Sequence, residues 1–236
     1  MKDPRFILRK LSSVLPVSIS DVVCSEIKAI RKNSSEIRIL DIGAGSAWYW
    51  REILDSFPET KISLTLMDAV KIEEFTPANQ IHSVSRVVGL VPQNLTEISE
   101  DAFDIVVAFD LIEHLPKDSG YLLLYEIDRI ARRTNIIFTP NGFVWQPPSL
   151  NNPFNAHISG WTPRELRKLD FNQIKGHTGL RILREPYAQP KKWINSWPIS
   201  EIDALATIIV WKIPSLAFSF TAVKRSKNSR IEEQLL

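Results

Sequence analysis

Glycine and cysteine are scarce in this 236-residue sequence, and neither sign of charge dominates it. The single cysteine, Cys24, excludes an intrachain disulfide and a cysteine-rich metal site, which is typical of a reducing compartment. The 29 Lys and Arg residues against 27 Asp and Glu residues give a net charge of only +2, which leaves no overall field to hold nucleic acid. Residues 1–10 lack the apolar core of a secretory signal, so we expect a cytoplasmic location.

Short apolar runs alternate with helical patterns along most of the chain. Five runs have the composition of buried strands, namely residues 37–42, 61–68, 83–89, 103–109 and 134–140. Helical spacing is found behind a serine N-cap at Ser20 over residues 20–32, and again over residues 48–57 and 120–132. This alternation predicts an α/β fold with a doubly wound, mostly parallel sheet.

A proline-rich insert, residues 141–161, follows the fifth predicted strand and is too long to be a passive connection. Thr162, Pro163 and Glu165 then provide a strong helix start. A sixth strand or hairpin is expected over residues 171–183, followed by a helix broken near Pro214 and a last strand. The apolar segment 205–223 could almost span a bilayer, but its central Lys212 and Pro214 favour a core helix and strand.

A glycine turn directly follows the first predicted strand, in the sequence DIGAGSA. Gly43 and Gly45 allow a tight turn and a close approach of the backbone to a ligand at a helix start. The fingerprint of dinucleotide-binding enzymes requires a third glycine at position 48, where this chain has Trp48. The turn therefore argues against a dehydrogenase and favours a smaller ligand without a pyrophosphate.

Several motifs in order resemble the class I S-adenosylmethionine (SAM)-dependent methyltransferases of the small-molecule type. They are LDIGAGSA after strand one, Asp68 at the end of strand two, and FDIVVAFDLIEHLP at strand four. The resemblance implies a Rossmann-like seven-stranded sheet with SAM as cofactor. The resemblance also implies three parts of the chain: an N-terminal helical arm (1–33), a methyltransferase domain that contains the long insert after strand five (34–224), and a polar tail (225–236).

The resemblance also assigns cofactor-binding residues. Asp68 would hold the two ribose hydroxyls, although an N-cap role before the segment AVKIEEF is an alternative. Asp41, Gly43 and Gly45 would line the methionine moiety of the cofactor. Phe109 and Asp110 would lie next to the cofactor.

One position departs from the pattern of these relatives. Many of them place an aspartate just after strand three to contact the adenine amine, whereas here Gly89 is followed by Leu90. Adenine recognition would then use backbone groups or a nearby side chain such as Gln93, or the cofactor would bind weakly.

Two histidines are candidate general bases, because an imidazole titrates near neutral pH. His157 lies in the insert, where similar enzymes build the acceptor pocket, but it could instead pin the insert together with Trp161. His114 follows Glu113 in a D-x-x-E-H spacing that resembles a divalent-ion site of some quinone-pathway methyltransferases. For this motif we favour the simpler interpretation, in which Glu113 and His114 orient the loop and the following helix by hydrogen bonding, and we predict no metal.

The sequence therefore predicts methyl transfer from SAM to a small molecule or to a lipid or glycan precursor. A methyltransferase-like binding module without catalysis is one alternative. A protein or RNA acceptor is another, although no nucleic-acid partner is expected from the charge. Peripheral membrane contact through the arm and the segment 205–223 is a third possibility. The oligomeric state is open.

Overall fold

The computed structural model describes residues 18–72, 76–149, 152–184, 206 and 209–226. Residues 1–17 of the predicted arm and residues 227–236 of the predicted tail lie outside the described residues. The division into arm, domain and tail therefore stays a prediction.

The described residues form a sheet of seven strands in the order β3-β2-β1-β4-β5-β7-β6. The strands are β1 (Glu36–Ile42), β2 (Lys61–Asp68), β3 (Ser83–Val88), β4 (Phe103–Phe109), β5 (Ala131–Pro140), β6 (Gln173–Leu180) and β7 (Ala217–Arg225). β1 to β5 pair in parallel, whereas β7 is antiparallel to both of its neighbours, β5 and β6. The predicted doubly wound, mostly parallel sheet is confirmed.

The longer helices are α1 (Ile19–Ile30), α2 (Tyr49–Asp55), α3 (Lys117–Ile130) and α4 (Pro163–Arg167). The N-cap of α1 is Ser18 and not the predicted Ser20, because Ser18 and Asp21 form a reciprocal capping box. The predicted start of α4 is confirmed, since the Thr162 hydroxyl accepts a hydrogen bond from the backbone N–H of Glu165 and the Glu165 carboxylate accepts one from the Thr162 backbone.

Side chains of β1 enter two separate hydrophobic clusters on opposite faces of the sheet. Ile37 and Ile39 pack with α1 and α2, whereas Leu40 and Ile42 pack with α3. This division follows from the alternation of side chains along a strand. Asp41 continues the row of Ile37 and Ile39, so its carboxylate points toward α2.

The C-terminal strand β7 lies inside the sheet rather than at its edge. Arg225 at its end forms a salt bridge of 2.8 Å to the buried Glu26, which ties the sheet to α1. Residues 217–223 of the apolar segment 205–223 therefore belong to a strand. No helix within the described ranges is long and apolar enough to cross a membrane.

Candidate functional site

A cavity of about 210 Å³ lies at the carboxyl ends of β1, β2 and β4. Ligands of open α/β sheets bind at this edge, where the strand order reverses. The cavity has two sides of different origin. One side is built by the turns after β1, β2 and β3, and the other by the loop after β4 together with Asn152, Phe154 and Asn155 of the insert.

The glycine turn forms one wall of the cavity, as its sequence predicts. The backbone N–H groups of Gly43 and Ala44 both donate to the Met67 carbonyl, at 2.8 and 3.1 Å. Gly43 has a φ of +73°, and a Cβ at this position would lie 2.9 Å from Leu111 Cδ1. Gly45 also has a positive φ, and no atom lies within 4 Å of where its Cβ would stand. The backbone of Gly45 is therefore open to a ligand.

Asp68 lies on the same wall, where β2 ends. Its Oδ2 accepts a hydrogen bond of 2.9 Å from Gly45 N, and its Oδ1 accepts one of 3.0 Å from Val70 N. Residues 69–72 contain no helical turn, so Asp68 caps no helix within the described part of this segment. A carboxylate has about four acceptor positions, and Asp68 can therefore still accept hydrogen bonds from hydroxyl groups in the cavity.

Asp41 is fully buried and does not line the cavity. Its Oδ2 accepts hydrogen bonds of 2.6 Å from both Tyr49 Oη and Trp50 Nε1, and its Oδ1 has no partner among the described residues. Burial raises the pKa of Asp41 to about 6, although the two hydrogen bonds offset part of that effect. The carboxylate thus anchors α2 to β1, and its predicted contact with the cofactor stays a prediction.

Phe109 and Asp110, two adjacent residues predicted to lie at the cofactor, have different surroundings at the end of β4. Phe109 is buried against Tyr49, with ring centroids 5.3 Å apart, and does not line the cavity. Asp110, with a φ of +45°, does line it. Its carboxyl lies beside that of Glu113, which is buried and accepts a hydrogen bond of 3.0 Å from Thr139 Oγ1.

The Asp110 and Glu113 carboxyls perturb each other. The side chain of Asp110 is exposed at the cavity, yet partial desolvation by the surrounding protein raises the pKa of Asp110 to about 6. Burial, and then the neighbouring Asp110 charge, raise the pKa of Glu113 well above its ordinary value. The pair therefore favours a form in which the two carboxyl groups share a proton.

The insert is closed at its base by Trp161. Trp161 O accepts a 2.6 Å hydrogen bond from Gly142 N, and its buried indole donates one of 3.2 Å to the Ile112 carbonyl. The indole packs directly on Gly120, and the Lys117 ammonium lies 3.5 Å from the ring centroid. Trp161 thus holds the insert against the domain.

His114 and His157 meet across the junction of the β4 loop and the insert, with ring centroids 4.7 Å apart. His114 Nδ1 lies 2.9 Å from the Ala156 carbonyl, and His157 Nδ1 lies 2.7 Å from the Val144 carbonyl. Burial lowers the pKa of both imidazoles, which favours their neutral forms. Only His114 lines the cavity, and a catalytic role for either histidine stays a prediction.

Leu90, where many relatives have an aspartate, also lines the cavity, and its N–H donates to Asn94 Oδ1 at 2.7 Å. Gln93 is exposed and does not line the cavity. Sequence reasoning missed the apolar lining by Met67, Val91 and Leu115. For Met67 the signal was available, because it directly precedes the aspartate that ends β2.

Comparison with solved structures reveals the class of fold. The carbon methyltransferase DszA superposes with a TM-score of 0.52 at 11% sequence identity, covering 88% of this chain and 52% of that one. A SAM-dependent methyltransferase from Archaeoglobus fulgidus aligns with a TM-score of 0.49 at 16% identity, covering 95% of this chain and 100% of that one. The 1,6-didemethyltoxoflavin-N1-methyltransferase of Burkholderia thailandensis aligns with a TM-score of 0.45 at 17% sequence identity, and the alignment covers 96% of this chain and 91% of that one.

The chain therefore has the fold of the class I SAM-dependent methyltransferases, as the sequence motifs predicted. At such low identity the likeness establishes the fold alone. No protein-family model matches the sequence, and no curated protein matches it.

Proposed function

We propose that this protein is a SAM-dependent methyltransferase that acts on a small-molecule acceptor. The observation that carries the proposal is the cavity at the carboxyl ends of β1, β2 and β4, with a glycine turn and an aspartate on one wall and insert residues on the other. When bound, SAM supplies an activated methyl group on a sulfonium, so the protein mainly has to orient the acceptor and exclude water.

The residues on the first wall fit this cofactor. The open backbone at Gly45 permits close approach of the amino-acid part, and Asp68 offers acceptors for two neighbouring hydroxyls. Leu90 and Val91 provide apolar surface for a flat ring, and Leu115 of the loop after β4 adds to it from the second wall.

The second wall supports a small acceptor. Asn152, Phe154 and Asn155 bring amide groups and an aromatic ring to the cavity, beside Asp110 and His114. A confined site with a few polar groups on apolar walls is typical of small-molecule recognition. A lipid or glycan precursor could also be the acceptor, with only its polar end bound in the cavity.

Cofactor binding is tested by calorimetric titration with S-adenosylhomocysteine. We expect the wild-type protein to bind, and Asp68→Asn to bind at least about tenfold more weakly, because a hydrogen bond to a charged group contributes about 1.5–3 kcal/mol. Asp55→Ala, which removes an exposed carboxylate at the end of α2, is the matched control and should bind like wild type. Absence of heat with the wild-type protein would refute the proposed cofactor.

The acceptor class is tested by incubating the protein with methyl-labelled SAM and a cell extract. Label that appears in the small-molecule or lipid fraction supports the proposal. Label in protein or RNA would contradict the acceptor class. Binding of S-adenosylhomocysteine without any methyl transfer would instead indicate a binding module.

A further inference from the structure

We propose that Glu113, His114 and His157 form a binding site for one divalent transition-metal ion. Each residue offers one ligand atom, and these three atoms lie within 4.8 Å of one another. Two of the side chains come from the loop after β4 and the third from the insert, so the site exists only when the insert is docked. Two imidazoles and one carboxylate are a ligand set that suits zinc, cobalt or iron.

The carboxylate of Glu113 is the first reason for this assignment. Glu113 is 1% exposed, its Oε2 accepts from Thr139, and its Oε1 has no hydrogen-bond donor among the described residues. No lysine or arginine in the described part of the chain forms a salt bridge with Glu113 or with its neighbour Asp110. Two adjacent carboxyls without such a basic partner can share one proton between them, and a bound cation would take the place of that proton.

The orientation of the imidazoles is the second reason. Both rings are fixed through Nδ1 to backbone carbonyls, of Ala156 and Val144 respectively. A carbonyl can only accept, so each Nδ1 carries the proton and the Nε2 of a neutral ring keeps its lone pair. Metal-binding histidines commonly donate their other ring N–H to a carbonyl in this way, because the hydrogen bond fixes the tautomer and the direction of the ring.

The geometry requires an adjustment on binding. In a tetrahedral site with metal–ligand bonds of about 2.1 Å, the ligand atoms lie about 3.4 Å apart, so the three side chains would have to close by up to roughly 1.4 Å. With only three protein ligands, coordination positions remain for water or for an oxygen atom of an acceptor.

An ion bound here would change the role predicted for the histidines. They would hold the metal instead of removing a proton from the acceptor. Metal binding needs neither SAM nor an acceptor, so it can fail or succeed independently of the proposed methyl transfer.

The test uses tag-free protein that has been treated with a chelator and dialysed. Co²⁺ and Zn²⁺ are added in calorimetric titrations, and Co²⁺ binding is also followed by its visible absorption. We expect one ion per chain. His157→Gln and Glu113→Gln should each weaken the affinity at least about tenfold, whereas His82→Gln, a histidine far from the cluster that precedes β3, should bind like wild type.

Three outcomes would overturn the proposal: no binding by the wild-type protein, equal binding by all variants, or binding of Mg²⁺ but not of Co²⁺. Circular dichroism identifies any variant that fails to fold. If the buried Glu113→Gln does not fold, His157→Gln decides, because this residue is partly exposed in a loop. Wild-type affinity in folded His157→Gln would exclude the site and leave both histidines available as general bases.

Discussion

The two sides of the cavity differ in how their polar groups are satisfied. On the side of β1 and β2, both oxygens of Asp68 already accept backbone hydrogen bonds, from Gly45 and Val70. On the side of β4 and the insert, Glu113 Oε1 has no donor within the described chain, and each of the two histidines is held through Nδ1 to a backbone carbonyl. Asp68 on the first side is thus held in place by backbone groups, whereas the second side contains a buried carboxylate oxygen that lacks such a donor.

The largest effect should come from removing the residue that holds the second side in place. Trp161→Ala should destabilise the protein by about 3–5 kcal/mol, because it leaves a large cavity under the insert and removes the hydrogen bond to Ile112. Urea unfolding measures the change. Trp145→Ala is the control within the same insert, and its effect should stay within about 0.5 kcal/mol, since Trp145 is 61% exposed. Equal losses would contradict the role given to Trp161.

The buried Asp41, which lies beneath the first side of the cavity, should make the stability of the protein depend on pH. Its pKa is about 6 in the folded protein against an ordinary value of 3.8, so the folded state binds the proton more tightly. The contribution of this group to stability is therefore full below pH 3.8 and is lost as the pH rises through 6. The loss amounts to about 3 kcal/mol.

We expect Asp41→Asn to avoid this loss, because an amide does not ionise. The free energy of unfolding of the variant, relative to wild type, should therefore rise by about 2.4 kcal/mol between pH 4 and pH 7, most of the full loss. Urea titrations across this range measure it, and the other titrating groups cancel because both proteins share them. A difference that does not vary with pH would show that Asp41 is not desolvated as described.

The smallest expected effect concerns the apolar end of the first side. Leu90→Asp should tighten S-adenosylhomocysteine binding by about three- to tenfold, since one added hydrogen bond contributes about 0.5–1.5 kcal/mol. Leu90 lines the cavity, whereas Val88 is exposed and does not, so Val88→Asp is the matched control. Unchanged or weaker binding by Leu90→Asp would mean that the adenine lies elsewhere.

The sequence predicts the first side of the cavity better than the second, for a physical reason. Gly43, Gly45 and Asp68 follow directly from strand ends, because the carboxyl ends of parallel strands meet at one edge of the sheet. The roles of Asp41 and Phe109 were harder to predict, since strand alternation assigns faces only once the position of each helix is known. Asp41 and Phe109 both point to the α2 side, where Tyr49 contacts each of them.

The second side depends on contacts between residues far apart in the chain. Nothing periodic in the insert predicts that His157 lies against His114, because the insert is docked by contacts between distant residues, such as Trp161 on Gly120. The motif around Glu113 was visible, but its surroundings were not. Burial and the lack of a donor for Oε1 became evident only in the folded chain.

The position of β7 inside the sheet has a consequence for synthesis of the protein. β7 is the last strand along the described chain, yet it pairs with both β5 and β6. While the ribosome has not yet released residues 217–225, β5 has an open edge and β6 has no strand to pair with. An unpaired edge next to a buried face is a site of aggregation. Translation that stalls before Ala217 should therefore leave an aggregation-prone nascent chain that depends on chaperones.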